Sequence, residues 1–327
     1  MRQAAHLLAG LFLSALFLWL TLRIVDFAAL RDAFMQVDLA MLALAPVALA
    51  FGYGARVQRW RVMLCLHNPR LGFGRAGVAF VAATAVNNLV PFRAGDALRC
   101  FAFGRWLGVT PGAVLGTVIV ERVLDLVALM SIAAIAIWLL APQQPGWPAI
   151  AVAAAAGAVI GLLVLWALIH PNLSVRFVRG LSRIAARLGP TAQSRVDALL
   201  LPLSAALSGL GARGQRGLIL AWTVPVWVLE GACFAAVAHA VSGLIAPAAA
   251  WLALPMGTLA TLLPTTPGHV GPFDYAAQLA TTALGNPLVE ATVFVLVVHA
   301  VLWTTTTATG LVCLLVWTTL TPGKAAS

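Results

Sequence analysis

Six stretches of the chain, 5–22, 39–55, 112–141, 148–169, 217–241 and 288–319, are apolar over lengths near the roughly 20 residues a helix needs to cross a bilayer. In hydrocarbon every backbone N–H and C=O must find its partner inside the protein, and runs of this length do so as helices. Two further apolar regions, 76–106 and 248–284, are long enough to enter the membrane but are broken midway by Pro and Gly. The expected fold is an all-α polytopic membrane protein, with about six transmembrane helices plus two re-entrant helical hairpins. Composition agrees: 62% of residues are hydrophobic and 9% charged, against about 25% charged in a soluble domain.

Arginine sets the orientation, since positive residues collect on the cytoplasmic side. The segment 56–75 holds Arg56, Arg59, Arg61, Arg70 and Arg75 with no acid. The segment 170–216 holds seven Arg, from Arg176 to Arg216, against Asp197 alone. Both are expected in the cytoplasm, while the acidic 23–38 and the uncharged 142–147 fit outside. These assignments agree only if each broken region enters and leaves on one side. The chain then reads as a single transmembrane domain, 1–327, made of inverted repeats 1–141 and 148–327. The hairpin turns align without gaps, "LVPFRAGD" (Leu89–Asp96) on "LLPTTPGH" (Leu262–His269), matching at Leu, Pro and Gly. Interrupted helices at corresponding positions of such repeats point to the substrate site.

Within 170–216, Leu173, Phe177, Leu181, Ile184 and Leu188 fall on one helical arc, and Arg176, Arg179, Arg183 and Arg187 on the other. Such a segment suits an amphipathic helix on anionic inner-leaflet lipids, or serves only as a topology marker. The net charge of +10 is spread over these segments rather than one face, so nucleic acid is not an expected partner. The four Cys lack metal-ligand spacing; neither a metal site nor a cofactor is expected. The apolar N-terminus reads as an uncleaved first span.

Ionisable residues at membrane depth are costly, and so point to function. The first hairpin holds Arg93, Asp96 and Arg99; the helix after it holds Glu121, Arg122 and Asp125. Guanidinium forks bind phosphate oxygens bidentately, so Arg93, Arg99 and Arg122, with Asn88 and Asp96, are candidate headgroup ligands. The alternative is a charge network that merely joins the hairpin arms. Asp96/Arg99 and Arg122/Asp125 are spaced to pair along one helix face. Glu121 has no such partner and shares its face with Asp125, which makes it the first expected proton carrier. The second hairpin offers Thr265 and Thr266 as substrate-facing hydroxyls, with His269 and Asp274 as further charge-network residues. Pro91, Gly95, Pro264, Pro267, Gly268 and Gly271 are expected to form the two turns.

With these residues in view, the chain resembles the lysylphosphatidylglycerol synthetase transmembrane (flippase-like) domain family. That pattern has Asn, Pro-x-Arg-x-Gly-acid-x-x-Arg, Glu-Arg-x-x-Asp and a later Pro-x-x-Pro-Gly turn. Here it reads Asn88, Pro91, Arg93, Gly95, Asp96, Arg99; Glu121, Arg122, Asp125; Pro264, Pro267, Gly268, with Gly271 beyond. Asp96 and Asp274 stand where Glu is more usual, and His269 replaces a common Gly, which bears on substrate preference. The resemblance is to the transmembrane part, without the soluble aminoacyl-transferase domain of the full synthetases, and so implies lipid translocation rather than aminoacylation. The expected protein is an inner-membrane lipid transporter or flippase, in a bacterial cytoplasmic membrane. Phospholipid, polyprenyl-phosphate and hopanoid-type substrates remain open. The alternatives are an intramembrane enzyme acting on a lipid headgroup, or a membrane scaffold. No GxxxxGK[ST] motif is present, so ATP is not the expected direct driver.

Overall fold

A computed structural model describes residues 2–23, 25–90, 93–140, 147–169, 171–187, 189–190, 193–194, 197, 213–263 and 267–320. Among these residues there are helices and turns but no strand. Helix α1 (Arg2–Leu22) leads to α2 (Phe27–Met35), which starts where the Asp26 carboxylate accepts from the Ala28 N–H at 2.8 Å. The short α3 (Leu39–Leu42), capped in the same way by Asp38, runs into α4 (Leu44–Leu64). The first hairpin descends as α5 (Phe73–Leu89) and returns as α6 (Ala94–Leu98), a π-helical turn (Arg99–Phe103) and α7 (Gly104–Trp106). The long α8 (Pro111–Leu140) follows, then α9 (Trp147–Ile169), α10 (Pro171–Ala186) and α11 (Arg213–Ala240). The second hairpin is α12 (Ala250–Ala260) and α13 (Pro272–Ala283), and α14 (Leu288–Leu320) closes the bundle.

Four helices are long and apolar enough to cross a membrane alone: Leu39–Leu64, Pro111–Leu140, Gly217–Ala240 and Leu288–Leu320. The pair Phe12–Leu22 and Phe27–Met35, bent by 82°, makes a fifth if it counts as one span. Of the six expected spans, 5–22 takes another form. Stretch 5–22 ends at a polar break, Arg23 to Asp26, where Asp26 starts a new helix in a new direction. Stretch 148–169 forms the 23-residue apolar helix α9, at the length expected. Phe12, Trp138, Val312 and Leu315 are exposed, as lipid-facing side chains should be.

Packing crosses the two halves of the chain. Helix α4 lies along α11, α5 lies along α14, and α12 packs against α8. Small residues allow the closest of these crossings. At Gly310 of α14, an added Cβ would stand 2.4 Å from Cβ of Ala85 in α5. Gly95 does the same inside the first hairpin, where a Cβ would stand 1.9 Å from the carbonyl oxygen of Ala83. Two apolar cores result, one around Phe234, Phe273 and Phe294, the other around Trp60, Phe80 and Phe103.

On α10, Arg176, Arg179 and Arg183 are exposed, and so is Ile184 of the expected apolar arc. The side chains of Leu173, Phe177, Leu181 and Leu188 lie outside the described residues, as does all of 198–212.

Candidate functional site

The first hairpin turns at Arg93, whose backbone is left-handed (φ 52°, ψ 44°). A non-glycine residue adopts this only where its surroundings impose it, and such strain collects at functional sites. Asn87 stabilises the turn: its Oδ1 accepts from Gly95 N at 2.8 Å and Asp96 N at 3.3 Å, and its Nδ2 donates to Asp96 Oδ1 at 3.2 Å. Asn88 donates to Thr306 Oγ1 at 2.9 Å and Thr307 Oγ1 at 3.0 Å, tying the hairpin to α14. Pro91 lies outside the described residues.

The charges form one network across four helices, buried except at the exposed Arg122. Arg99 donates to Glu121 at 2.6 Å, and its guanidinium centre sits 4.3 Å from the Trp60 ring centroid and 4.6 Å from that of Phe80. Arg122 reaches Asp96 at 3.0 Å. Fully buried Arg59 holds Asp125 at 2.8 Å and lies 3.7 Å from Glu121. Arg56 pairs with Glu230 and covers the Trp227 ring.

Three expectations are corrected here. Arg56 and Arg59 are not loop residues; α4 continues to Leu64 and carries both inside the protein. Arg122 and Asp125 do not pair along their own helix, because each meets a closer partner on another, Asp96 and Arg59. Asp96 and Arg99 do approach within one helix, at 3.9 Å. Glu121, expected to lack a partner, is clamped by Arg99 and flanked by Arg59. That removes the reason for preferring it as proton carrier.

The second hairpin turns through Pro267–His269, with Gly268 (φ 79°), His269 (φ 58°) and Gly271 (φ 98°) all in the left-handed region. Gly271 is also required for space, since a Cβ there would meet Ser14 O at 2.5 Å. Asp274 Oδ2 accepts from Gly271 N at 2.8 Å, and Asp274 Oδ1 meets His299 Nδ1 at 2.7 Å. Pro264, Thr265 and Thr266 lie outside the described residues.

Between the hairpins lies a set of adjoining cavities. One of about 190 Å³ is lined by Arg93, Asp96, Arg99, Glu121, Arg122 and His269, among others. A larger one of about 400 Å³ shares Arg56, Arg93, Arg122 and Asp125 but continues between Leu49, Leu126, Leu129 and Leu302. A third, about 150 Å³, lies under the second hairpin against Gly268, His269 and His299. Arg93 is therefore drawn together with Arg99, Arg122, Asn88 and His269, while Asp274 stands behind the second turn.

Counting the network gives five guanidiniums (Arg56, Arg59, Arg93, Arg99, Arg122) and four carboxylates (Asp96, Glu121, Asp125, Glu230). One positive charge is left over. Among the described residues Arg93 is the member of this group that makes no salt bridge. Tyr53, Arg56, Arg59 and Asn87 were not singled out as site residues from the sequence, and Glu230 and His299 stand out there only as ionisable residues in apolar spans, as consistent with a buried, partnered role as with a direct one. For Arg56 and Arg59, the spacing from Tyr53 along one helical face was the available signal.

Fold and site together define a multi-pass membrane protein with a buried cavity of net positive charge. Residues 7–310 match the family described as "Lysylphosphatidylglycerol synthase TM region", and the chain belongs to that family. Membership ties it to a lipid-related role in the membrane. It is also similar to a protein of Haloferax volcanii named Glycosyltransferase AglD, 25% identical over 308 residues. That alignment covers 85% of this chain and 49% of the relative, so the chain spans about half the relative's length. No solved structure matches the chain.

Proposed function

We propose that the protein moves a lipid with a negatively charged polar headgroup between the leaflets of a bacterial inner membrane. The observation that carries this reading is the uncompensated Arg93 at the junction of a charged cavity and an apolar one. The headgroup sits against Arg93 and the exposed Arg122 while its tail lies along Leu126, Leu129 and Leu302. Arg99 is held by Glu121 and two aromatic rings, so it shapes the cavity rather than grips the substrate. A net charge of +1 favours a headgroup with one negative charge, such as a phosphodiester.

The packing suits alternating access between inverted repeats. If 1–141 and 148–327 are repeats, α4 corresponds to α11, α5 to α12, and α8 to α14. Each contact then has its mirror: α4 on α11 is its own, and α5 on α14 answers α12 on α8. Helices α1 and α9 break the symmetry, α9 packing on α8 and α1 on α13. Rocking of one half on the other about the α4–α11 contact would open the cavity to each leaflet in turn.

An enzyme acting on the headgroup has less support, because the cavity's acids are held by guanidiniums instead of being poised beside a nucleophile. The test is reconstitution in liposomes containing fluorescent phosphatidylglycerol, with a quencher that reaches only the outer leaflet. Label moving to the quenched leaflet in the unmodified protein, and not in Arg93→Ala, supports transport. Equal rates in protein-free liposomes would end it. A parallel sample offered nucleotide-activated sugar and analysed for new lipid products tests glycosyl transfer, the activity in the relative's name.

A further inference from the structure

His299 of α14 touches two acceptors. Its Nδ1 lies 2.7 Å from Asp274 Oδ1, and its Nε2 lies 2.8 Å from the carbonyl oxygen of Gly268. The carbonyl can only accept, so Nε2 must carry hydrogen. The contact with Asp274 needs a second hydrogen, on Nδ1 or on the carboxyl. A neutral imidazole with an ionised carboxylate supplies one hydrogen where two are required. The pair as folded therefore holds one proton more than that reference state.

We infer that His299 and Asp274 form a proton-binding site whose occupancy holds the tip of the second hairpin. The grip is on backbone at both ends of the turn: His299 on Gly268 O, and Asp274 on Gly271 N at 2.8 Å. Loss of the proton leaves a nitrogen lone pair facing either a carboxylate or a carbonyl, and that contact must part. It also leaves a net negative charge on two largely buried groups, with side-chain exposures of 14% and 1%. Gly268 and His269 line the cavity beneath the hairpin, so release of the tip alters its wall.

The groups facing the pair are few. His269 stands on the hairpin itself, Tyr53 on α4 and Glu230 on α11, all lining the same cavity as His299. Arg93 lines the next cavity with His269. Phe273 covers the imidazole with ring centroids 4.9 Å apart. Among the described residues of α14, the charged side chain is Glu290, more than two turns away.

A link between this proton and transport rests on the proposed function, but proton binding itself does not. Asp274→Asn gives the decisive comparison. An Asn amide donates to Nδ1 while its oxygen accepts from Gly271 N, so every contact is made with a neutral His299. Amide hydrogen exchange over 267–275 is measured on the full chain in micelles from pH 5 to pH 9, corrected for intrinsic exchange. The unmodified protein should lose protection by tenfold or more as pH rises. Asp274→Asn should stay protected throughout, and His299→Ala should be open throughout. Protection independent of pH in the unmodified protein, or Asp274→Asn open at every pH, overturns the site. If no lipid moves in liposomes yet the exchange pattern holds, the transport reading fails and the proton site stands.

Discussion

Replacing Arg59 by Met separates the charges that build the protein from the one proposed to serve its substrate. Arg59 is fully buried, 2.8 Å from Asp125 and 3.7 Å from Glu121. Without it Asp125 has no ion-pair partner among the described residues, whereas Glu121 keeps Arg99. Breaking a buried pair from one side costs roughly 3–5 kcal/mol, because the remaining charge stays desolvated. The Asp125 side chain is 13% exposed, so the expected loss lies at the low end, about 3 kcal/mol. Removing both charges at once, Arg59→Met with Asp125→Leu, leaves no orphan. Such replacements are typically neutral or stabilising by about 1–4 kcal/mol, so the double variant should recover most of the loss. Denaturant titration in micelles, followed by the fluorescence of the 11 Trp, gives both free energies. A single variant within about 1 kcal/mol of the unmodified protein, or a double variant no better than the single, would refute the argument that the pair is desolvated.

Arg93→Ala should behave in the opposite way, with stability unchanged to within about 1 kcal/mol and transport lost. Arg93→Lys should restore little of the rate if the planar fork is what the headgroup requires. Gly95→Ala should destabilise by about 3 kcal/mol or more, since its Cβ would stand 1.9 Å from a backbone oxygen. A melting curve matching the unmodified protein would contradict that packing. For orientation, single cysteines at Arg70 and at Arg187, in a background without the four native Cys, should resist impermeant reagents in intact cells. Efficient labelling at either position reverses the sidedness.

The sequence made the hairpins legible because Pro and Gly interrupt apolar runs that would otherwise continue. It also located the charge cluster, since Arg93, Asp96, Arg99, Glu121, Arg122 and Asp125 all meet in one network. The pairing inside that network was hidden. Spacing along one helix ranks neighbours at i+3 and i+4, but a guanidinium on another helix can come closer, as Arg59 does to Asp125. The same blindness misplaced Arg56 and Arg59. Counting positive charge by side treats an arginine at the end of an apolar run as loop, and only packing of α4 on α11 shows that the helix goes on. His299 stood out in the sequence only as an ionisable residue within an apolar span; its partners, an acid in the preceding helix and a carbonyl in a turn, were hidden.

The two hairpins differ in what holds them, and on the proposed mechanism the difference decides which one moves. The first is fastened by charge: its Arg99 and Asp96 pair with Glu121 and Arg122 of α8, and Asn88 bonds to Thr306 and Thr307 on α14. These bonds involve arginines that stay charged at every relevant pH. The second hairpin is fastened near its tip by His299 and Asp274, and further along α13 by Gln278 to Thr292 at 2.6 Å. Among the described residues no arginine–carboxylate salt bridge reaches that hairpin. On the proposed mechanism, the first hairpin is thus the fixed wall that positions Arg93, and the second is the wall that gives way. Amide exchange should accordingly be slower over 94–106 than over 267–275 at pH 9, where the His299 grip is released. The reverse order would place the moving wall on the wrong side of the cavity.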